Sequence, residues 1–256
     1  MKSFQKIVWD FYKKNKRSFP WRETQDPYKI LVSEVMLQQT QADRVVRYYE
    51  RWLKRFPDIA SLAKASFSEI YPLWQGLGYN RRGLALKKAA EKAVAEYGGK
   101  LPKNVAKLEE FPGVGPYTAR AVSIFSFNAP IVCIETNIRR VFIYHFFKDK
   151  KNIEDEEILT IAEKCVDAKN NREWHWALMD YGAYLKTQIP NPNRRAKNYS
   201  IQSKFEGSLR QIRGRILKNL ATGPKTVYQL KAKKIILQAL EKEGLVTYKN
   251  KKYCLA

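Results

Sequence analysis

Residues 109–119, EEFPGVGPYTA, are the stretch that decides the fold. Gly113, Val114 and Gly115 form a turn between two segments whose apolar residues recur at helical spacing. Such a turn exposes backbone N–H groups beside the positive end of the next helix, which suits a phosphate. A Gly-x-Gly turn between helices also serves plain tight packing. The turn is a helix-hairpin-helix signature, and the neighbouring sequence is needed to distinguish phosphate binding from tight packing.

The segments on both sides of this turn are helical in pattern. From Ser3 to about Lys186 the apolar residues keep a helical period, and strand-like alternation is scarce. Pro and Gly residues interrupt the pattern at 26–27, 56–57, 98–99, 101–102 and 112–113, where helices should stop. We therefore predict eight to ten short helices and an all-α domain over residues 1–188.

Composition and charge point to a folded protein with a polyanionic partner. The 256 residues are 45% hydrophobic and 13% aromatic, which excludes a disordered chain and allows one or two domains. A net charge of +23 favours nucleic acid as the partner. Three isolated cysteines and the absence of a leader or an apolar span predict a soluble protein in a reducing, intracellular setting without membrane contact.

Composition changes after Lys186. Residues 189–195, IPNPNRR, cannot continue a helix, so we predict a basic linker over 189–204 and a second unit over 205–256. Residues 186–256 carry a net charge of +14, against +9 for residues 1–185. Two amphipathic helices, one burying Leu209, Ile212, Ile216 and Leu220 and one over about 230–243 burying Ile235, Ile236, Ala239 and Leu240, precede a β-hairpin over 245–255. This order predicts a small winged-helix-like module, which either contacts DNA or presents a solvated face of a packing or dimerisation unit.

Glu34 is a candidate catalyst because it interrupts an apolar helical run, residues 30–41. Burial raises the pKa of a carboxyl group toward the range of a general acid or base. The alternative is that Glu34 points to solvent or pairs with a nearby arginine.

Glu135 ends an apolar extended run just before a predicted helix. On its own, this position is best explained by a carboxylate that interacts with the helix N-terminus near a Thr136 cap.

Taken together, several segments resemble the adenine DNA glycosylases of the helix-hairpin-helix superfamily in order and spacing. They are FPWR at 19–22, DPY at 26–28, SEVMLQQTQ at 33–41, GLGY at 76–79 and PGVG at 112–115. The resemblance covers about residues 3–186. The 34–41 segment is typical of the branch that acts on adenine and thymine mismatches.

The resemblance implies a two-lobed helical fold in which the target nucleotide is flipped into a cleft. A six-helix barrel lobe would cover about 27–135, and a second lobe the N-terminal helix and about 136–188. Gln38 would intercalate, Gln39 would lie near the base and Tyr79 on the opposite strand. Further implied DNA contacts are Thr40, Arg81, Pro112, Gly113, Val114, Gly115, Arg194, Arg195 and Lys197. The implied base pocket contains Trp21, Arg22 and Val35.

The resemblance also assigns the chemistry. Glu34 would protonate the leaving base and handle the water, and a second carboxylate, Glu135, would face the oxocarbenium-like sugar. Most relatives have Asp at that second position, and the additional methylene of Glu135 moves the carboxylate by about 1.5 Å. Bifunctional relatives have a Schiff-base lysine where this chain has Tyr117, so we expect little strand cleavage.

Two features of the family are expected to be absent. The four cysteines of its iron–sulfur loop are replaced by Lys186, Asn193, Ala196 and Gln202, so no cluster is expected. Relatives can also hold a monovalent cation at the hairpin carbonyls, and the resemblance implies that this chain could do the same. The basic C-terminal segment is also too short to be the long domain that senses 8-oxoguanine in typical adenine glycosylases.

We therefore expect a monofunctional, monomeric DNA glycosylase acting on double-stranded DNA with a mismatched base, cytoplasmic and nucleoid-associated if prokaryotic. We expect the excised base to be adenine opposite guanine or 8-oxoguanine. One alternative is thymine or uracil opposite guanine, and another is a DNA-binding protein without catalysis.

Overall fold

The computed structural model describes all 256 residues, which form two compact units. The first unit comprises residues 1–30, 103–106 and 115–201, and the second comprises 31–102, 107–114 and 202–256. Fourteen α-helices and one two-stranded sheet confirm the all-α fold class. Eleven of these helices precede residue 189, one more than the largest number predicted from the sequence. None of the helices is long and apolar enough to cross a membrane.

The helices and strands have the following bounds. The helices up to residue 109 are α1 (Lys2–Asn15), α2 (Pro27–Leu37), α3 (Ala42–Arg55), α4 (Ile59–Lys64), α5 (Phe67–Trp74), α6 (Arg81–Tyr97) and α7 (Val105–Glu109). The later helices are α8 (Pro116–Phe127), α9 (Thr136–Phe146), α10 (Asp155–Cys165), α11 (Asn171–Gln188), α12 (Leu209–Leu220), α13 (Val227–Leu230) and α14 (Lys234–Lys242). The strands are β1 (Val246–Lys249) and β2 (Lys252–Leu255), and 3-10 turns cover Pro20–Arg22 and Pro192–Arg195.

The first unit is built around the pairing of α9 with α11. The two helices approach so closely that a Cβ atom on Gly182 would overlap the backbone carbonyl of Asn137. Aromatic rings complete this core, as where Phe4 of α1 meets Trp174 of α11 edge to face at 6.0 Å between centroids. Because α9 begins directly after Glu135, this packing fixes the backbone that carries one candidate catalytic residue.

The second unit has a tryptophan-rich core. Trp52 of α3 and Trp74 of α5 are fully buried, with ring centroids 5.5 Å apart. Gly83 of α6 lies against the Trp74 ring, where an added Cβ would stand 3.0 Å from a ring carbon. Capping boxes start α4 at Asp58 and α5 at Ser66, the side chain of each accepting a hydrogen bond from the backbone N–H three residues later.

The β-hairpin predicted at the end of the chain is confirmed. β1 and β2 pair antiparallel with Val246 opposite Leu255, and Asn250 and Lys251 both have positive φ, as a two-residue hairpin turn requires. Lys225 extends this hairpin through backbone hydrogen bonds with Tyr253. The predicted helix over 209–220 is α12, whose Ser208 cap accepts a hydrogen bond from the backbone of Gln211.

Two details of this region differ from the prediction. The helix expected over 230–243 begins only at Lys234, because Lys231 takes a left-handed conformation where α13 ends. As a result α14 buries Leu237 and Leu240, while Ile235 is 71% exposed, so its predicted burial is wrong. Leu209 is also exposed, since it is the first residue of α12 and precedes the buried part of the helix.

Residues 189–201 are an ordered part of the first unit, although the sequence suggested a linker over 189–204. Asn193 in the 3-10 turn is buried and donates a hydrogen bond from its side chain to the carbonyl of Thr136 at 2.9 Å. Ile153 forms backbone hydrogen bonds with Arg195 and Lys197 on either side of Ala196. The unit boundaries therefore fall at residues 31, 103, 107, 115 and 202, and the 205–256 module belongs to the second unit.

Candidate active site and nucleic-acid interface

Glu34 lies in the last turns of α2, a helix made almost entirely of apolar residues. Only 5% of its surface is exposed, and its neighbours Ser33 and Val35 are also buried. Carboxylates are seldom buried unless they are paired, and a carboxyl group shielded from water is suited to general acid catalysis. This burial excludes a Glu34 that points to solvent, whereas its catalytic role and its pairing with a nearby arginine both stay predictions.

Helix α2 ends at Leu37, earlier than the predicted run to residue 41, and the chain then turns through Gln38, Gln39 and Thr40. Gln39 has a φ of +57°. A non-glycine residue in this conformation is strained and needs support from its surroundings. Tyr79 has the same property, with a φ of +49°, so two of the predicted DNA contacts sit on strained backbone.

The support comes from Arg82, which the sequence analysis did not single out. Its guanidinium donates hydrogen bonds to the carbonyls of Val35 and Gln38 at the end of α2. It also donates to the carbonyls of Leu77 and Gly78, at 3.2 and 3.1 Å. Burial lowers the pKa of Arg82 to about 10. The only signal in the sequence was an arginine three residues after the end of the glycine-rich segment 76–79.

Because Arg82 joins these two turns, Gln38, Gln39 and Tyr79 border the same cavity of the second unit. Arg81 lies beside them with a side chain that is 73% exposed. Thr40 is part of the same turn, and its hydroxyl donates to the carbonyl of Gln38 at 3.4 Å. The structure thus brings together five of the residues proposed as DNA contacts, although it does not test their role.

Glu135 interacts with the N-terminus of helix α9 as predicted, but Glu135 itself is the N-cap, whereas the sequence analysis placed the cap at Thr136. One carboxylate oxygen accepts hydrogen bonds from the backbone N–H groups of Asn137 and Ile138, at 2.7 and 2.8 Å. The side chain is half-buried. Loss of water around it raises the pKa of Glu135, and the two N–H groups and Arg140 oppose that rise. The cap leaves open the role at the sugar that the resemblance assigns to this residue.

A buried histidine anchors the extended segment before Glu135. His175 of α11 has its Nδ1 2.9 Å from the carbonyl of Asn171, to which it donates, and its Nε2 accepts from the backbone N–H of Cys133 at 3.3 Å. Only a neutral imidazole can donate on one side and accept on the other. Burial lowers the pKa of His175 to about 4. The sequence analysis missed this positioning residue.

We expect acid to destabilise the protein through His175. Its pKa in the folded protein is about 4, below the ordinary value of 6.5, so the unfolded chain binds the proton more readily. The contribution of neutral His175 to the free energy of unfolding is present above pH 6.5 and is lost as the pH falls toward 4. Between about pH 7.5 and about pH 5 the free energy of unfolding should fall by about 2 kcal/mol from this group.

Urea unfolding of the wild type and His175→Gln at both pH values measures this effect. Because glutamine does not titrate, the variant should lose about 2 kcal/mol less than the wild type over this range. Equal losses in the two proteins would show that His175 is not the group responsible.

Two of the residues assigned to the base pocket have structural partners in the first unit. Both guanidinium nitrogens of Arg22 donate to the Asp180 carboxylate at 2.8 Å, and Arg17 binds the same carboxylate. Trp21 is 7% exposed and stacks on Phe19, with ring centroids 4.9 Å apart. Arg22 is therefore committed to a buried ion pair.

The two glycines of the 112–115 segment have different structural roles: Gly113 has a backbone conformation that favours glycine, and Gly115 is a helix N-cap. Gly113 has a φ of +78°, and an added Cβ would lie 2.7 Å from the Cβ of Ala85. Pro112 is half-buried and Val114 is buried. In the first unit Gly115 is the N-cap of α8 and Tyr117 is half-buried in the first turn of that helix.

The three basic residues expected to face DNA after residue 193 differ in their contacts. Arg195 donates to the backbone carbonyls of Phe147 and Lys148, so its guanidinium closes the end of α9. Lys197 pairs with Glu154 at 2.7 Å. Arg194 is exposed. For Arg195 the structure gives a capping role that the sequence did not indicate.

The residues at the positions of the family's cluster ligands do not fit an iron–sulfur cluster. Lys186, Asn193, Ala196 and Gln202 offer no thiolate, and the side chain of Asn193 is already bonded to the Thr136 carbonyl. Cys133 and Cys165 are buried, and Cys254 lies in β2. No cluster of His, Cys, Asp and Glu in the chain is arranged to hold a metal ion.

Comparison with known proteins gives the family of this helical chain with its buried carboxylate and basic turn. The chain belongs to the family described as HhH-GPD superfamily base excision DNA repair protein, whose model matches residues 32–167, just over half of the chain.

Similar curated proteins fall in two groups. The adenine DNA glycosylase of Rattus norvegicus is 33% identical over 227 residues, which are 84% of this chain and 43% of the relative. The thymine/uracil-DNA glycosylase of Methanothermobacter thermautotrophicus is 30% identical over 187 residues, which are 72% of this chain and 85% of the relative. The chain thus spans less than half of the rat relative and most of the other.

Among solved structures, that of a thermostable thymine-DNA glycosylase is similar to this chain, with a TM-score of 0.65 and 30% identity over 71% of this chain and 85% of that one. This likeness agrees with the family model and with the helical fold.

Proposed function

We propose that the protein is a monofunctional DNA N-glycosylase that removes adenine opposite guanine or 8-oxoguanine from double-stranded DNA. The observation that carries the proposal is the burial of Glu34 at 5% exposure, a few residues before the turn that holds Gln38 and Gln39. A protein that only bound DNA would gain nothing from a buried carboxyl group, because phosphates are bound by positive charge.

The proposed mechanism uses two carboxyl groups. Glu34 donates a proton to the flipped base, which then leaves as a neutral molecule when the bond between its nitrogen and C1′ of the sugar breaks. Glu135 stabilises the positive charge that develops on the sugar. Water then adds to C1′ and its proton passes to the Glu34 carboxylate, so that the enzyme is restored and an abasic site remains.

The reaction should end at the abasic site. Tyr117 stands where bifunctional relatives carry the lysine that forms a Schiff base, and a phenol cannot form one. We also propose that the protein works without an iron–sulfur cluster, since the four ligand positions carry no cysteine. We propose in addition that it acts as a monomer. A monovalent cation at the carbonyls of residues 112–115 stays a prediction.

A second candidate is removal of thymine or uracil opposite guanine. It is favoured by the similarity to the thymine/uracil-DNA glycosylase over 85% of that protein's length. The Glu135 carboxylate, which lies on a longer side chain than the family's usual aspartate, is compatible with either base.

Single-turnover base release separates these candidates. Duplexes with A opposite 8-oxoguanine, A opposite G, T opposite G and U opposite G are incubated with excess protein and then treated with alkali to cleave abasic sites. We expect release of adenine, and strand breaks only after alkali. Release of thymine or uracil alone would transfer the protein to the second candidate, and no release from any duplex would reject a glycosylase.

A further inference from the structure

The last part of the second unit carries unpaired positive charge. Residues 225–256 contain eight lysines, two glutamates and no other charged side chain. None of these lysines takes part in a salt bridge, whereas Glu243 is bound by Arg213 and Arg81. The exposed ones are Lys231, Lys233, Lys234, Lys242, Lys249, Lys251 and Lys252. Their charge is therefore available to a polyanion.

Helix α14 presents an exposed stripe among these lysines. It is joined to α13 by a three-residue turn, as the second helix of a helix-turn-helix motif is. Leu237 and Leu240 bury one side of α14, while Lys234, Ile235 and Gln238 are exposed. The spacing of three and four residues places these three side chains on the same side of the helix.

The β-hairpin lies beside the same helix. Glu241 near the end of α14 accepts a hydrogen bond from the backbone N–H of Tyr248 in β1 at 3.2 Å. The next four residues, KNKK at 249–252, form the tip of the hairpin and are all exposed. We call the exposed residues 231–235, Gln238 and the tip 249–252 the lysine face.

The shape of α14 and the type of its charges favour duplex DNA as the occupant. The major groove of DNA is about 12 Å wide and admits one α-helix. In a helix-turn-helix motif the first residues of the second helix point to the base edges, and here they are Lys234 and Ile235. Ile235 is 71% exposed, and an apolar side chain at this position is suited to the methyl groups of thymine.

The charges of the lysine face all come from lysine and none from arginine. Lysine binds phosphates as a point charge and lacks the planar fork that pairs with base edges. The expected contact is therefore with duplex DNA of any sequence. A second copy of this chain is a poor occupant, because two chains of net charge +23 repel each other.

We propose that the lysine face is a second DNA-binding surface, in which α14 enters the major groove of undamaged duplex and the hairpin tip lies on the neighbouring phosphates. This goes beyond the proposed function, because undamaged DNA offers no base to excise. A sequence-independent contact of this kind lets a protein slide along DNA between rare target sites.

Binding of the full chain to a fully paired duplex, followed by fluorescence anisotropy between about 50 and 200 mM salt, tests the proposal. A protein with both Lys233→Gln and Lys234→Gln should bind about tenfold more weakly at the lower salt concentration. The slope of log K against log salt should become shallower by about 1 to 2 units, because each phosphate contact contributes about 0.9.

The matched control is a protein with both Lys64→Gln and Lys100→Gln. These two lysines are exposed, belong to the same unit and lie outside the lysine face, so the change in net charge is identical. Binding and salt slope of this control should stay close to those of the wild type, because exposed charges that make no phosphate contact are largely screened.

A second pair of variants tests entry of α14 into the groove. Ile235→Glu places a carboxylate on the exposed stripe without disturbing the core, and should weaken duplex binding by about tenfold or more. Val94→Glu is its control, because Val94 is an exposed apolar residue of α6 in the same unit. This control should bind like the wild type.

Duplex RNA of the same sequence separates groove entry from charge attraction. The major groove of an RNA duplex is too deep and narrow for side chains to read. Ile235→Glu should therefore lose more affinity for the DNA duplex than for the RNA duplex. Equal losses on both would overturn the docking of α14 in the groove.

Lysine and Ile235 variants that bind the fully paired duplex as tightly as their controls would also overturn the proposal, and would leave the lysine face to an acidic protein. Base release by the wild type is measured separately. A protein that releases no base but shows the expected losses would reject the glycosylase and keep the second surface. Base release with no effect of these variants on duplex binding would do the reverse.

Discussion

Replacing Glu34 by glutamine is expected to reduce base release by about 10²–10⁴-fold, the range that a general acid contributes. Glutamine keeps the size of the side chain at a position where only 5% of the surface is exposed, but it has no proton to give to the leaving base. DNA affinity should stay the same or rise, since the substitution removes a potential negative charge from a site that faces a polyanion.

The measurement is single-turnover base release together with binding to an uncleaved duplex. Glu50→Gln is the matched control, because Glu50 is an exposed carboxylate on α3 of the same unit and should leave both quantities unchanged. A Glu34→Gln protein with the wild-type rate would remove Glu34 from the mechanism. A protein that neither releases the base nor binds DNA would assign it a structural role instead.

Replacing Arg82 by alanine is expected to lower the free energy of unfolding by about 3 kcal/mol and to abolish the ordered turn at Gln38 and Gln39. The guanidinium satisfies backbone carbonyls at the end of α2 and in the segment after α5, and its loss leaves them without donors. DNA binding should weaken in the same variant, because Gln39 and Tyr79 lose the support that keeps their strained conformations.

Urea unfolding measures the first effect, and amide hydrogen exchange of residues 38–40 and 77–80 measures the second. Arg81→Ala is the control for stability, because this neighbouring side chain is 73% exposed and its substitution should cost less than about 0.5 kcal/mol. Equal stability of the two variants, with unchanged exchange in both segments, would show that Arg82 does not hold the turns together.

The elements that could be predicted from sequence are those defined by short-range pattern. The hairpin followed from Gly244 and the residues around Asn250, and α12 from its apolar period, because turn chemistry and helix periodicity act over a few residues. Burial of individual residues was harder, as Ile235 shows. Whether Ile235 faces the core or solvent depends on where α14 begins. That start is set by Lys231, a single residue in the left-handed conformation.

The candidate site divides in the same way. Glu34 stood out because a carboxylate in an apolar run is unusual, and the structure places it in the interior. Arg82 and His175 did not stand out, because the contacts that give them a positioning role include partners 44 to 47 and 42 residues away along the chain. Arg22 was assigned to the base pocket from the family resemblance, and its ion pair with Asp180, 158 residues distant, had no signal in the local sequence. Local sequence carries little information about such pairs.

Gly182 has a consequence for how genetic variation in this protein should be interpreted. The residue has no side chain and takes part in no chemical step, yet it sets the spacing between α11 and the helix that starts after Glu135. Any larger residue there must push the two helices apart, and the carboxylate at the start of α9 moves with them. A survey of inactivating mutations should therefore include Gly182, because a side chain there would shift Glu135, the second carboxylate of the proposed mechanism.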